Sequence, residues 1–161
     1  MATAMSVLAD SYEQDFTECE ETFARDEVQQ GVGLLLQSQR EELEAEVEQA
    51  ETLVVEHPSL GGEEGGYSAE TMGRAIAFLK AHVERAWRSH GTKAPIPTIG
   101  PGPEGSIDLY WKQPSWKLLV NVPADKDSPA TFYGDDYGRQ KTRGTLDLDK
   151  ISVAIIAWLM T

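Results

Sequence analysis

The sequence predicts an α+β fold: about three acidic N-terminal helices, then a three- to four-stranded antiparallel β-meander and a C-terminal helix. Three observations predict it. Apolar residues recur at helical spacing through the first 90 positions, alternate with polar ones from 107 onward, and return to helical spacing near the end. Proline and glycine mark the changeover between positions 91 and 105. Charge changes with the period. Residues 1–66 hold 17 of the 27 acids and only Arg25 and Arg40 as bases, a net of −15; residues 67–161 hold 10 acids and 12 bases, a net of +2.

The first helix is expected over residues 6–28, where Leu8, Tyr12, Phe16, Cys19 and Phe23 fall on one stripe. Gly31 and Gly33 predict a break. The second is expected over 34–56, with Leu36, Leu43, Val47, Ala50 and Val54 as its apolar seam. Glu41, Glu42, Glu44, Glu46, Glu48 and Glu51 crowd its other surfaces. Like charges four apart, such as Glu44 and Glu48, oppose a helix by a few tenths of a kcal/mol, so the seam must be packed for this segment to hold. His57-Pro58 ends it, and LGGEEGG reads as a flexible link. The third helix starts at an N-cap, Ser68, with Glu70 in its first turn. It ends with Arg85, Arg88 and His90 before Gly91.

Pro95, Pro97, Pro101 and Pro103 predict an extended connector. Strands are expected over 107–111 and 116–122, joined by a turn at 112–115, then over 130–133, with a polar edge strand over 139–145. Asp147 or Asp149 is expected to cap the last helix, whose Ile151, Ile155, Trp158 and Leu159 would cover one sheet face. The chain divides into an acidic helical region, 1–91, and a sheet module, 95–161, either as two parts or as one continuous domain.

A chain of 161 residues can bury one core, removing about 70% of its unfolded surface from water. One cysteine excludes an internal disulfide framework. The opening MATAMSVLADSYEQDFTECE has no basic start, so no secretory signal is expected and a cytoplasmic location is. No apolar run reaches the roughly 20 residues that span a bilayer; the terminal ISVAIIAWLM is too short. A pI near 4.5 points away from nucleic acid and anionic membranes as direct partners.

The stretch PTIGPGPEGSIDLYWKQPSWKLLVNVP, with ATFYGDDYG and RGTLD downstream, resembles a recurring small module of uncharacterised prokaryotic proteins. The residues that carry the likeness are Pro97, Pro101, Pro103, Gly105, Ser106, Ile107, Leu109 and Trp111, then Phe132, Tyr133, Gly134 and Asp135. It covers roughly residues 95–149, not the acidic helices. It implies a β-meander in a prokaryotic setting and attaches no activity.

No catalytic motif stands out. Asp125-Lys126-Asp127-Ser128 and Asp135-Asp136 lack the central glycine and terminal glutamate of a calcium loop, so acidic turns are the better account. His57, His82 and His90 have no metal spacing, and Cys19 sits among Glu18, Glu20 and Glu21, which disfavours a thiolate. The Gly-x-Gly pairs at 31–33 and 100–102 lie outside any βαβ unit. Trp111 and Trp116 could pair across the hairpin, whereas Tyr110 and Tyr133 lie out of phase with the inward positions.

No cofactor and no metal are expected. The expected function is that of a non-enzymatic interaction protein that binds or restrains a larger, more basic protein, as an antitoxin, immunity protein or accessory subunit does. Glu41, Glu44, Glu48, Glu51, Tyr110 and Tyr133 are its candidate contact residues, and self-association is left open. Two alternatives stand beside it: a protease substrate cut at an exposed Gly- or Pro-rich link, and a metal-dependent hydrolase using Asp108, Asp135 and Asp136.

Overall fold

The structure, a computed structural model, describes residues 32–52 and 67–161. The chain divides into two compact units, Met1–Ser38 and Gln39–Thr161. Residues 32–52 are helical throughout (α1), with 32–38 in the first unit and 39–52 in the second. The helix passes through Gly33 without the expected break, and Gly31, the other glycine of that expectation, lies outside the described residues. The expected helix over 6–28 and the GGEEGG link lie outside the described residues, as do Cys19 and His57.

In the second unit, α2 (Ala69–His90) is bounded as its sequence dictates. The Ser68 hydroxyl accepts from the Thr71 N–H, and Gly91 closes the helix at φ +64°, donating to the Trp87 carbonyl at 2.7 Å. Five strands follow: β1 (Thr98–Pro101), β2 (Ile107–Lys112), β3 (Lys117–Val122), β4 (Ala130–Asp135) and β5 (Lys141–Leu146). They pair antiparallel in chain order as one sheet, and the short helix α3 (Val153–Leu159) ends the fold.

The two-residue period of the strands sorts the side chains. On one face, Ile99, Ile107, Leu109, Trp111, Leu118, Val120 and Val122 are buried. α2 lies against β2 and β3 and against α3; it buries Met72, Phe78, Leu79 and Val83, and α3 adds Ile155 and Leu159. Each such side chain contributes roughly 1.5–3 kcal/mol. From α1, Leu43 and Ala50 join this core.

The sheet has five strands, not three or four. The additional one, β1, occupies the proline-rich stretch that sequence reading makes a connector. Proline is compatible with an edge strand when its missing N–H is one that would point outward. Trp111 stands opposite Leu118 in the β2–β3 register, not opposite Trp116. Trp116 instead meets Trp158 of α3 with ring centroids 5.8 Å apart. α3 is capped by Ser152, whose hydroxyl accepts from the Ile155 N–H, rather than by Asp147 or Asp149. Asp147 is engaged in its own turn, accepting from the Asp149 N–H and pairing with Lys150 at 2.7 Å. Leu36, assigned to the α1 seam, is exposed.

His82 joins α2 to α3. It is 1% exposed. Its Nδ1–H donates to the Phe78 carbonyl at 2.9 Å, which leaves Nε2 to accept from the Ser152 N–H, also at 2.9 Å. Burial lowers its pKa from the ordinary 6.5, partly offset by the Phe78 bond. A depressed folded pKa means that the unfolded chain takes up this proton first. The associated stability is therefore present above pH 6.5 and is lost as pH falls below it, by up to about 1.4 kcal/mol per pH unit.

Two predictions follow from these contacts. Gly134→Ala would set a Cβ 2.5 Å from the Trp158 ring, so it should destabilise the fold by about 1–3 kcal/mol, and Trp158→Ala should relieve most of that in a double-mutant cycle. Thermal melts from pH 7.5 to 5.5, values of about the titration range of histidine, should show Tm falling with pH. His82→Leu should lower Tm at the upper end, by leaving the Ser152 N–H unpaired, and flatten the slope.

Candidate protein-binding surfaces

The six glutamates of α1 do two different jobs. Glu46 reaches the sheet: its Oε1 accepts from the Ile99 N–H of β1 at 2.7 Å. Glu42 pairs with Lys93. Near them the Gln39 amide donates to the Ala94 carbonyl at 2.8 Å. These contacts, with Leu43 and Ala50 in the core, fix the rotation of α1 about its axis. Glu41, Glu44, Glu48 and Glu51 are then all exposed. Their spacing of three, four and three places them within about 80° of arc on one side of the helix. Glu44, Glu48 and Glu51 have no cationic partner among the described residues.

The second surface is the sheet face turned away from the helices. The register places Thr98, Tyr110, Leu119, Tyr133 and Arg143 in one row across all five strands. Tyr110 and Tyr133, singled out in the sequence, therefore flank Leu119 directly. Tyr110 is 37% exposed. Tyr133 is half-buried and its hydroxyl donates to Asp135 at 3.1 Å. A shallow depression of about 490 Å³ lies here, lined by Leu119, Asn121, Thr131, Tyr133 and Arg143. The neighbouring row runs Lys112, Lys117, Asp135, Lys141. Asp135 is buried and already committed to the Tyr137 N–H and the Tyr133 hydroxyl, with Lys117 at 3.9 Å. The face is therefore cationic, opposite in sign to the α1 stripe.

At the other end of the face the Asn121 amide donates to Asp108 at 2.7 Å and to the Ser106 hydroxyl at 2.8 Å. Gly102 closes over this group; a Cβ there would lie 2.4 Å from the Ser106 oxygen. The three polar side chains satisfy one another and hold the 102–106 turn on the sheet.

The remaining acidic residues are turn-formers. Asp125 accepts from the Asp127 N–H and the Ser128 hydroxyl, and its pKa is lowered chiefly by the latter. Asp136 accepts from the N–H groups of Arg139 and Gln140. Asp108 and Asp135 lie two strands apart and four residues out of register, on the order of 15 Å, so the trio proposed for a metal-dependent hydrolase is not assembled. No group of three or more metal-ligating side chains occurs among the described residues. No helix among them is long and apolar enough to cross a membrane.

No family model, curated protein or solved structure matches the chain.

Sequence reading names Glu41, Glu44, Glu48 and Glu51 as contact residues but assigns no role to Glu42 and Glu46. The docked geometry shows what Glu42 and Glu46 do: they bind Lys93 and the Ile99 N–H, while the other four stay outward. Their effects on stability should differ in sign. Glu46→Ala should destabilise by about 1–3 kcal/mol, because it leaves the Ile99 N–H without its charged acceptor. Glu48→Lys should stabilise by a few tenths of a kcal/mol, because it relieves repulsion from Glu44 and Glu51. Urea titrations at low and high salt check this; the Glu48→Lys gain should shrink with salt.

Proposed function

We propose that the chain is a non-enzymatic protein-binding module that engages a larger, more basic protein through the α1 carboxylate stripe, in the manner of an antitoxin, an immunity protein or an accessory subunit. The observation that carries this reading is the outward alignment of Glu41, Glu44, Glu48 and Glu51, with the last three lacking a cation among the described residues. Aligned like charges do nothing for a helix by themselves and slightly oppose it. Against a cationic surface the same alignment accelerates encounter and fixes register. The paired Glu42 and the capping Glu46 hold the helix so that the stripe stays presented. The partner is expected to offer Lys and Arg along a groove or helix of matching length.

Affinity capture with the full chain tests it. Wild type should retain a stoichiometric basic protein at about 0.05 M salt and release it near 0.5 M, where screening shortens to a few Å. The charge-reversed variant Glu44→Lys/Glu48→Lys/Glu51→Lys should fold, since all three side chains are exposed, and should lose that protein. Equal retention by both proteins would contradict the proposal, as would no stoichiometric partner at any ionic strength.

A further inference from the structure

The two edges of the sheet are not alike. At the β1 edge the pairing positions are fixed by Gly102, whose N–H donates to the Ser106 carbonyl at 2.8 Å; Gly100 and Thr98 pair inward in the same phase, opposite Asp108 and Tyr110. Ile99 and Pro101 therefore face outward. The Ile99 N–H is taken by Glu46, and Pro101 has none. In the same phase on either side stand Pro97 and Pro103. Every outward position of this edge has lost its donor, by proline or by capping. A strand so treated cannot extend the sheet.

The β5 edge has no such protection. The β4–β5 hairpin closes with the Asp136 N–H on the Gln140 carbonyl at 3.1 Å. The inward-paired positions of β5 are then Thr142, Gly144 and Leu146. Lys141, Arg143 and Thr145 point both N–H and C=O away from the sheet, all three residues are exposed, and no described strand lies beyond them. Lys141 and Arg143 project on the cationic face, and Lys112 and Lys117 share the row of Lys141. On the other face Gly144 contributes no side chain, and the half-buried Phe132 ring reaches across it; a Cβ on Gly144 would lie 2.9 Å from that ring. A residue added beyond Gly144 would rest against this aromatic flank.

We propose that β5 is the site at which an extended, acidic segment of another protein adds as a sixth strand, with carboxylates at alternate positions against Lys141 and Arg143 and β-branched or apolar residues between them toward Phe132. Main-chain bonds to the outward groups of Lys141, Arg143 and Thr145 supply affinity, and the alternation supplies selectivity. A second copy of this chain is the poorer occupant. Two-fold pairing of the three outward positions of two β5 strands sets Arg143 opposite Arg143, and like charges directly opposed are destabilising. The site uses none of the α1 carboxylates and stands or falls independently of them.

The probe is a blocked heptapeptide, Glu-Thr-Glu-Val-Glu-Thr-Glu, compared with its Lys-for-Glu counterpart. With the full-length protein, the acidic peptide should slow amide exchange at Arg143 and Thr145 while leaving Ile99 unchanged. It should bind at least about tenfold more tightly than the lysine peptide. Lys141→Glu/Arg143→Glu should reverse the preference between the acidic and lysine peptides, which a merely unfolded variant would not do. Equal binding of both peptides, no binding at millimolar concentration, protection at Ile99 instead, or peptide-free dimerisation through β5 would each overturn the assignment.

Discussion

The bond from Glu46 to the Ile99 N–H sets most of what matters here. It satisfies the one donor that proline has not removed from the β1 edge. It anchors α1 beside the sheet at a point where the Gln39–Ala94 and Glu42–Lys93 contacts add to it. With Leu43 and Ala50 buried on the same side, the helix has one allowed rotation, and Glu41, Glu44, Glu48 and Glu51 are turned to solvent together. An acidic helix docked through one of its own carboxylates is an economical arrangement: a charge that would otherwise add to the repulsion closes an edge instead. A charged acceptor on a backbone N–H is worth about 1.5–3 kcal/mol, several times the few tenths that each like-charge pair opposes.

The fold carries two surfaces of opposite sign. The α1 stripe is anionic and aligned by helical spacing. The outer sheet face is cationic and aligned by strand register, with Tyr110 and Tyr133 on either side of Leu119. Among the described residues Glu44, Glu48 and Glu51 have no cation beside them; on the sheet face Asp135 is buried in a local network and Asp108 is held by Asn121, so their carboxylates serve the sheet more than they offset Lys112, Lys141 and Arg143. Charge placed this way governs rates and choice of partner more than stability.

Much of the architecture was legible in the sequence. The α2 boundaries, set by Ser68 and Gly91, depend on capping chemistry within a few residues, and such local rules can be read directly. Alternation fixes the hairpin phase and with it the outward face for Tyr110 and Tyr133. β1 was missed because four prolines in nine residues resemble a connector until the phase of its hydrogen bonds is known. The role of Glu46 was invisible because Ile99 lies 53 positions away. Trp116 was set against Trp111 by proximity in the hairpin, whereas its actual neighbour, Trp158, arrives from α3, and Gly134 leaves the space for that ring. Local chemistry was readable; long-range packing was not.

Native-state hydrogen exchange at neutral pH, read residue by residue, tests the docking of α1 on the β1 edge most directly. The Ile99 amide should be strongly protected although it faces away from the sheet, and Glu46→Ala should return it to fast exchange while the inward Gly100 amide stays protected. Rapid exchange at Ile99 in the unaltered protein would contradict it, since α1 would then have no fixed rotation and its carboxylates no common face.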